Sequence, residues 1–431
     1  MDRQPFWSFT ATELTILLRR RACSAVEITQ SCLDRITQCE HIVRAFVELD
    51  ADGALRQAAA LDKRGETGQL HGIPIAIKDT VDVEHLHCTL GTEIHKDRVP
   101  ARDATVVRRL RDAGAVILGT TVSTEYAIAR AGPTRNPHNT ERTPDGSSSG
   151  SAAAVSARMV PLAVATQTVG SIVRPSTYCG IFGLKPTKDA ISTAGAMTLS
   201  PRLDHVGPMA RSIDDLWLAY LAMRDLSAAG GNIGPGEQKP GNVLLVEGPL
   251  RDRIEPASRE ALDRARSAFE ANAVPVEKTV LPDSFDGMVS CWETILFRDI
   301  AANHGRDRDD FGSRMSDRLV KIIDDGRKVT DQAYEAAIAE AKYLRTQLLG
   351  LLPEDAIILA PATDGAAPAF SEQTGPSYLQ GLWSLAGFPA VAIPCGKVGD
   401  LPVGVQLVGH PMQEQFVLQA GKILEGLGRH N

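Results

Sequence analysis

Two serine-bearing loops, Asp145-Gly146-Ser147-Ser148-Ser149-Gly150-Ser151 and Thr166-Gln167-Thr168-Val169-Gly170-Ser171, place Ser147 and Ser171 24 positions apart (171 less 147). A lysine, Lys78, closes the run Gly72-Ile73-Pro74-Ile75-Ala76-Ile77-Lys78-Asp79, 69 positions before Ser147 (147 less 78). Attack on an amide carbonyl needs a hydroxyl relieved of its proton, a base to take that proton, and N–H donors facing the developing oxyanion. Gly146, Gly150 and Gly170 keep the backbone open beside the two serines, so hydroxyls and amide N–H groups can gather around one small polar substrate. A lysine serves as base only when neutral, and an unperturbed one titrates near about 10.4. The apolar run Ile73 to Ile77 carries Lys78 toward the interior, where burial disfavours the charged form. Taken singly, each feature has a plainer reading: a structural Gly-Ser turn, a Gly/Ser linker, a surface lysine paired with Asp79.

Other hydrolytic and phosphate chemistries fit less well. Ser171 is not within a Gly-x-Ser-x-Gly elbow, none of the ten histidines falls in a triad motif, and the Gly/Ser loop lacks the Gly-Lys-Ser/Thr ending of a P-loop. His85-x-His87-Cys88 has no distant ligand motif to complete a metal site, so no metal and no cofactor are expected.

Further segments follow in order: GLKPT (183–187), LDHVGPMARS (203–212), GFPAVAIP (387–394) and LPVGVQLVG (401–409). With the lysine and serine loops, they make the chain resemble the amidase signature family over roughly residues 5–225 and 355–428. Members of that family hydrolyse amide bonds with a Ser–cis-Ser–Lys triad. The resemblance implies Ser171 as nucleophile, Ser147 as the proton-relaying serine in a loop with a cis peptide bond, and Lys78 as base. It also implies the N–H groups of Thr168, Val169, Gly170 and Ser171 as oxyanion hole, with Ser148, Ser149 and Ser151 as supporting hydrogen-bond partners. Many members have Asp where Gln167 stands, Gly where Val169 stands, and an arginine two residues after the nucleophile, whereas Arg174 lies three after it. Gly170-Ser171-Ile172-Val173-Arg174-Pro175 is similar to a GSxxRP subgroup of malonamidase-like bacterial amidases. Arg174 is accordingly expected either to reach a substrate carboxylate or carbonyl, or to pair internally with a residue such as Asp204.

The elements that must position these residues read as α/β: one domain over 1–431, a central mixed sheet flanked by helices, with a variable, substrate-shaping region at about 226–354. Helical spacing marks 11–20. A capping box, Ser24-Ala25-Val26-Glu27, opens the next helix. A helix from 104 ending at Gly114 leads into a strand at 115–118, a small-residue helix runs from Ser151 to Ala157, and 226–242 is a Gly/Pro-rich connection. Beyond it come the strand-like NVLLVEG and helices at 256–271 and 330–352.

The hydrophobic fraction is 43% with 5% aromatics, enough to bury a core of small aliphatics. A net charge of −7 without a basic tract argues against nucleic acid or an anionic membrane as partner. With no apolar segment of spanning length or leader-like N-terminus, and seven dispersed cysteines without a CxxC pair, a cytoplasmic protein is expected. The leading expectation is an amidohydrolase that acylates Ser171 with a small-molecule amide and releases ammonia or an amine, acting alone or as a homodimer. The alternatives are a carbamate or ester hydrolase using the same residues, a glutaminase-type amidotransferase subunit, disfavoured by the shorter chain, Gln167 and the middle region, and an inactive scaffold.

Overall fold

Ser24 accepts a hydrogen bond from the Glu27 N–H while the Glu27 carboxylate accepts from the Ser24 N–H, so the capping box starts the helix Ala25–Val43. A second box on Thr10 and Glu13 starts Ala11–Arg19, and the two helices form an outer layer at the N-terminal side. The computed structural model describes residues 4–65, 68–225, 239–247, 253–281, 287–371 and 373–428.

Among the described residues eleven strands form one mixed sheet: β1 Phe46–Leu49, β2 Pro74–Lys78, β3 Val116–Thr121, β4 Leu162–Gln167, β5 Phe182–Lys185, β6 His205–Ala210, β7 Asn242–Glu247, β8 Val276–Val280, β9 Ala356–Pro361, β10 Ala390–Val398 and β11 Leu401–Val408. Their order is β1-β3-β2-β4-β6-β5-β10-β11-β9-β7-β8. β2 runs parallel to both β3 and β4, whereas β4–β6 and β10–β11 are antiparallel. Strands β2, β3 and β6 are buried along their whole length, and β2 accordingly reads as an apolar run rather than an alternation.

Two short helices follow the serine loops. Ser149–Ser156 is built from small residues and is buried from Ser149 to Val155, which lets it lie close against the sheet. At Gly150 an added Cβ would fall 2.3 Å from the Ala45 carbonyl oxygen and 2.4 Å from the Val122 nitrogen, so glycine is required there by close approach. Val173–Tyr178 follows the second loop and is buried throughout.

The region set apart at 226–354 supplies β7 and β8 as well as helices at Pro256–Ala271, Met288–Phe311, Asp317–Lys328 and Asp331–Leu351. Of the Gly/Pro-rich connection, 226–238 lies outside the described residues. Two of these helices, Met288–Phe311 and Asp317–Lys328, are not among the elements expected from the sequence. Their apolar residues (Trp292, Ile295, Leu296, Leu319, Ile322, Ile323) pack with Leu199 and Val169 in a separate hydrophobic cluster. No helix of the described residues is long and apolar enough to cross a membrane.

Candidate active site

Strand β2, between β3 and β4, carries Lys78 at its C-terminal end, where it is fully buried. Its Nζ donates to Ser147 Oγ at 2.6 Å and to Thr166 Oγ1, on neighbouring β4, at 2.8 Å. Asp79 does not pair with it by hydrogen bond, because that carboxylate accepts from the Thr89 N–H at 2.5 Å, from the Thr89 hydroxyl and from the Gly91 N–H at 3.1 Å. The plain reading of a surface Lys78–Asp79 pair is therefore excluded. Burial pulls the Lys78 ammonium down to about 7, against the opposing pull of Asp204 and Asp79. A second lysine, Lys185 of GLKPT, is also buried and also drawn to about 7 by desolvation, yet its Nζ donates to the Pro186 and Phe388 carbonyls, away from the serines.

The Gly146–Ser147 peptide bond is cis. The serines that follow stitch the loop to the sheet: Ser148 Oγ donates to the Thr166 carbonyl at 3.1 Å, Ser149 Oγ to Val122 at 3.2 Å and Ser151 Oγ to Val164 at 2.9 Å. Ser147 is thus held between Lys78 and a cleft of about 740 Å³, mouth included, whose lining contains Ser147, Thr168, Val169, Gly170 and Ser171.

The second loop is braced by Gln167. Its Oε1 accepts from the Ile172 and Val173 N–H groups at 2.8 and 3.0 Å, and its Nε2 donates to the Val169 carbonyl at 2.8 Å and to Ser384 Oγ at 3.1 Å. Thr168 Oγ1 donates to Asp204 Oδ1 at 2.7 Å. Among the described residues no hydrogen bond occupies the Ser171 hydroxyl or the N–H groups of Thr168, Val169, Gly170 and Ser171. A nucleophile and an array of donors therefore face the same cleft.

Arg174 borders that cleft, and its two terminal nitrogens are bonded to the protein while its Nε is buried without a partner among the described residues. It donates to the Gly146 carbonyl at 3.0 Å and to the Gly375 carbonyl, and lies 3.3 Å from Asp145 Oδ1. Asp145 accepts from the Gly375 N–H at 3.1 Å as well. Of the two expectations for Arg174, the geometry has the internal pairing, with Asp145 in place of Asp204. Two further charged side chains line the cleft that the sequence did not single out, Arg318 and Glu293. Nothing in their local sequence marks them, and only the packing of their helices brings them near Ser171.

The Amidase family model matches residues 27–418. A glutamyl-tRNA(Gln) amidotransferase subunit of Symbiobacterium thermophilum is 34% identical over 478 aligned positions, covering 98% of this chain and 97% of the relative. A solved vestigial protein complex, described as revealing the evolutionary origins of an s-triazine catabolic enzyme, superposes with a TM-score of 0.89 at 30% identity, covering 97% of this chain and 98% of its own. The native peptide amidase of Stenotrophomonas maltophilia superposes with a TM-score of 0.86 at 26% identity, over 99% of this chain and 98% of its own.

These likenesses correct the expectation about partners. The family resemblance implies a small-molecule amide or carbamate as substrate for a chain acting alone or as a homodimer, and the net charge argues against nucleic acid as a partner. A relative named as one subunit of a glutamyl-tRNA(Gln) enzyme aligns over nearly the full length of both chains, so length does not separate the two. Gln167 does not separate them either, since its amide is consumed by Ile172, Val173, Val169 and Ser384. With buried lysine, cis-linked serine and open second loop arranged on one mixed sheet, and with the family model covering most of its length, this chain belongs to the amidase family, enzymes acting on C–N amide bonds.

Proposed function

We propose that this chain hydrolyses a carboxamide through an ester on Ser171, and that it works as the ammonia-releasing, glutaminase-type component of a tRNA-dependent amidotransferase. The observation that carries the chemistry is the fully buried Lys78 at 2.6 Å from Ser147 Oγ, beside a cleft that Ser171 shares. Neutral Lys78 takes the Ser147 proton as Ser147 takes that of Ser171, and Ser171 Oγ bonds to the amide carbon. The N–H groups of Thr168 to Ser171 receive the oxyanion. The proton returns through Ser147 to the departing nitrogen, the C–N bond breaks, and water then cleaves the acyl ester by the same relay in reverse. Arg174 contributes by fixing the Gly146 carbonyl beside the cis-linked serine.

The identity of 34% to a glutamyl-tRNA(Gln) amidotransferase subunit, over 98% of the chain, supports the assembly half of this reading. A second reading, hydrolysis of a free small-molecule or peptide amide, draws on the likeness to a peptide amidase at a TM-score of 0.86. Carbamates and esters fall within the same acyl chemistry. An inactive scaffold is disfavoured by the open cleft and the short Lys78–Ser147 contact.

The deciding experiment is purification of the tagged chain from its own cells, followed by assay of ammonia release from L-glutamine with and without co-purifying proteins and tRNA. A stoichiometric partner and glutamine hydrolysis stimulated by it are expected. A solitary chain that hydrolyses peptide or aryl amides and ignores glutamine would replace the first reading with the second.

A further inference from the structure

The segment 198–204 connects the second serine loop to the helix Met288–Phe311, and two buried carboxylates, Asp204 and Asp299, hold it. Asp204 Oδ2 accepts from the Leu199 and Ser200 N–H groups at 2.8 and 2.9 Å, while its Oδ1 accepts from the Thr168 hydroxyl at 2.7 Å. Asp299, on the helix, accepts from the Ser200 hydroxyl at 2.5 Å. Its other oxygen accepts from the hydroxyl of Tyr334, on Asp331–Leu351, also at 2.5 Å. The same helix adds Asn303 Nδ2 to the Leu199 carbonyl at 3.2 Å and His304 Nε2 to the Thr198 carbonyl at 2.8 Å. An unbroken series therefore runs from Tyr334 through Asp299, Ser200 and Asp204 to Thr168, where the free N–H array begins. Burying a carboxylate is costly, and hydrogen bonds from neutral donors offset that cost only while each donor stays aligned. Two carboxylates in succession are committed to this one segment. Both of its attachments reach the cleft, since Leu199 lines it with Thr168 and Val169, and Met288–Phe311 supplies Trp292, Leu296 and Phe297.

We infer that Asp204 and Asp299 are positioning residues that act in series on the oxyanion loop, fixing the N–H groups of Thr168 to Ser171 relative to the cleft wall that Met288–Phe311 supplies. The inference rests on the proposed acylation of Ser171 and adds to it what holds the donors in place. Neither carboxylate touches the reacting atoms: Asp204 acts through Thr168, and Asp299 acts through Ser200 on Asp204. Donors aimed at an oxyanion stabilise charge that develops only in the transition state. A loop loosened at Thr168 therefore loses rate while ground-state binding is largely kept.

The test uses the full chain with any co-purifying partner. Rates are measured on L-glutamine and on p-nitroacetanilide, per active site counted with a serine-reactive fluorophosphonate, and hydrogen exchange of peptides over 166–174 and 197–204 is followed by mass spectrometry. Thr168→Val and Ser200→Ala are each expected to lower kcat at least about tenfold, with KM changed by less than about threefold. Because both lie in one series, the double variant should lose little more than the poorer single one, whereas independent injuries would multiply. Asp299→Ala should behave like Ser200→Ala, with part of the rate recovered in Asp299→Asn. Exchange at Ile172, Val173 and Arg174, whose N–H groups are bonded inside the loop, should quicken in Ser200→Ala. Multiplied losses in the double variant, or a Ser200→Ala chain with kcat and exchange over 166–174 both unchanged, would overturn the inference. No turnover of either amide by the wild type, with exchange over 166–174 still quickened by Ser200→Ala, would instead overturn the hydrolase reading and leave the link from helix to loop standing.

Discussion

Lys78 Nζ lies 2.6 Å from Ser147 Oγ, while the carboxylate of its chain neighbour Asp79 is held elsewhere by Thr89 and Gly91. The lysine is therefore buried without a bonded counter-ion, and desolvation draws it to about 7. If its neutral form is the base, kcat/KM should rise with pH along a limb centred near about 7 and reach a plateau above it. Lys78→Met should lower kcat by roughly 10³-fold and abolish that limb.

The same burial has a sign for stability. The folded-state value of Lys78 is below its unfolded one, so unfolding takes up a proton between about 7 and about 10, and stability should increase as pH rises through that window. Lys185, shifted in the same direction, contributes likewise, so Lys78→Met should flatten the dependence in part. Urea denaturation at several pH values reads it out.

Arg174 joins the first serine loop to the Gly375 segment and compensates a fully buried Asp145 side chain. Arg174→Met leaves that carboxylate uncompensated and should cost about 3 kcal/mol of stability. Because both terminal nitrogens are bonded to the protein, activity on charged and neutral amides should fall by similar factors. Denaturant midpoints and a substrate panel check both statements, and selective loss on carboxylate-bearing amides would return Arg174 to substrate binding.

Gln167 both accepts and donates within the second loop, and only an amide can do both there. Gln167→Glu replaces the donor facing the Val169 carbonyl by an acceptor, for a cost of about 2 kcal/mol. Since the affected carbonyl belongs to the loop bearing the free N–H groups, kcat should drop more than KM changes. Steady-state kinetics alongside thermal denaturation separate the two effects.

Much of this arrangement is legible in the sequence, for identifiable reasons. The run from Ile73 to Ile77 predicts a buried strand, and it does carry Lys78 inward. The glycines beside Ser147 and Ser171 predict an open backbone around a substrate, whereas at Gly150 the structure has close approach to Ala45 and Val122 instead. The Ser24 box fixes a helix start because it is a local hydrogen-bond pattern. What escapes depends on contacts distant in the chain. Arg174 meets Asp145 and Gly375, which no spacing rule connects, and Arg318 and Glu293 reach the cleft only through the packing of two helices. The apolar period of Met288–Phe311 (Trp292, Ile295, Leu296, Ile300) is present but masked by the charged residues around it.

The most direct test of the central claim is capture of the acyl-enzyme. Rapid quench of the full chain with an amide or aryl-ester substrate, followed by peptide mass spectrometry, should find the acyl group on Ser171 and nowhere else. Ser171→Ala should carry none, and Ser147→Ala should form it at least about 10²-fold more slowly. An acyl group on Ser147, or turnover by a folded Ser171→Ala variant at the wild-type rate, would contradict the account.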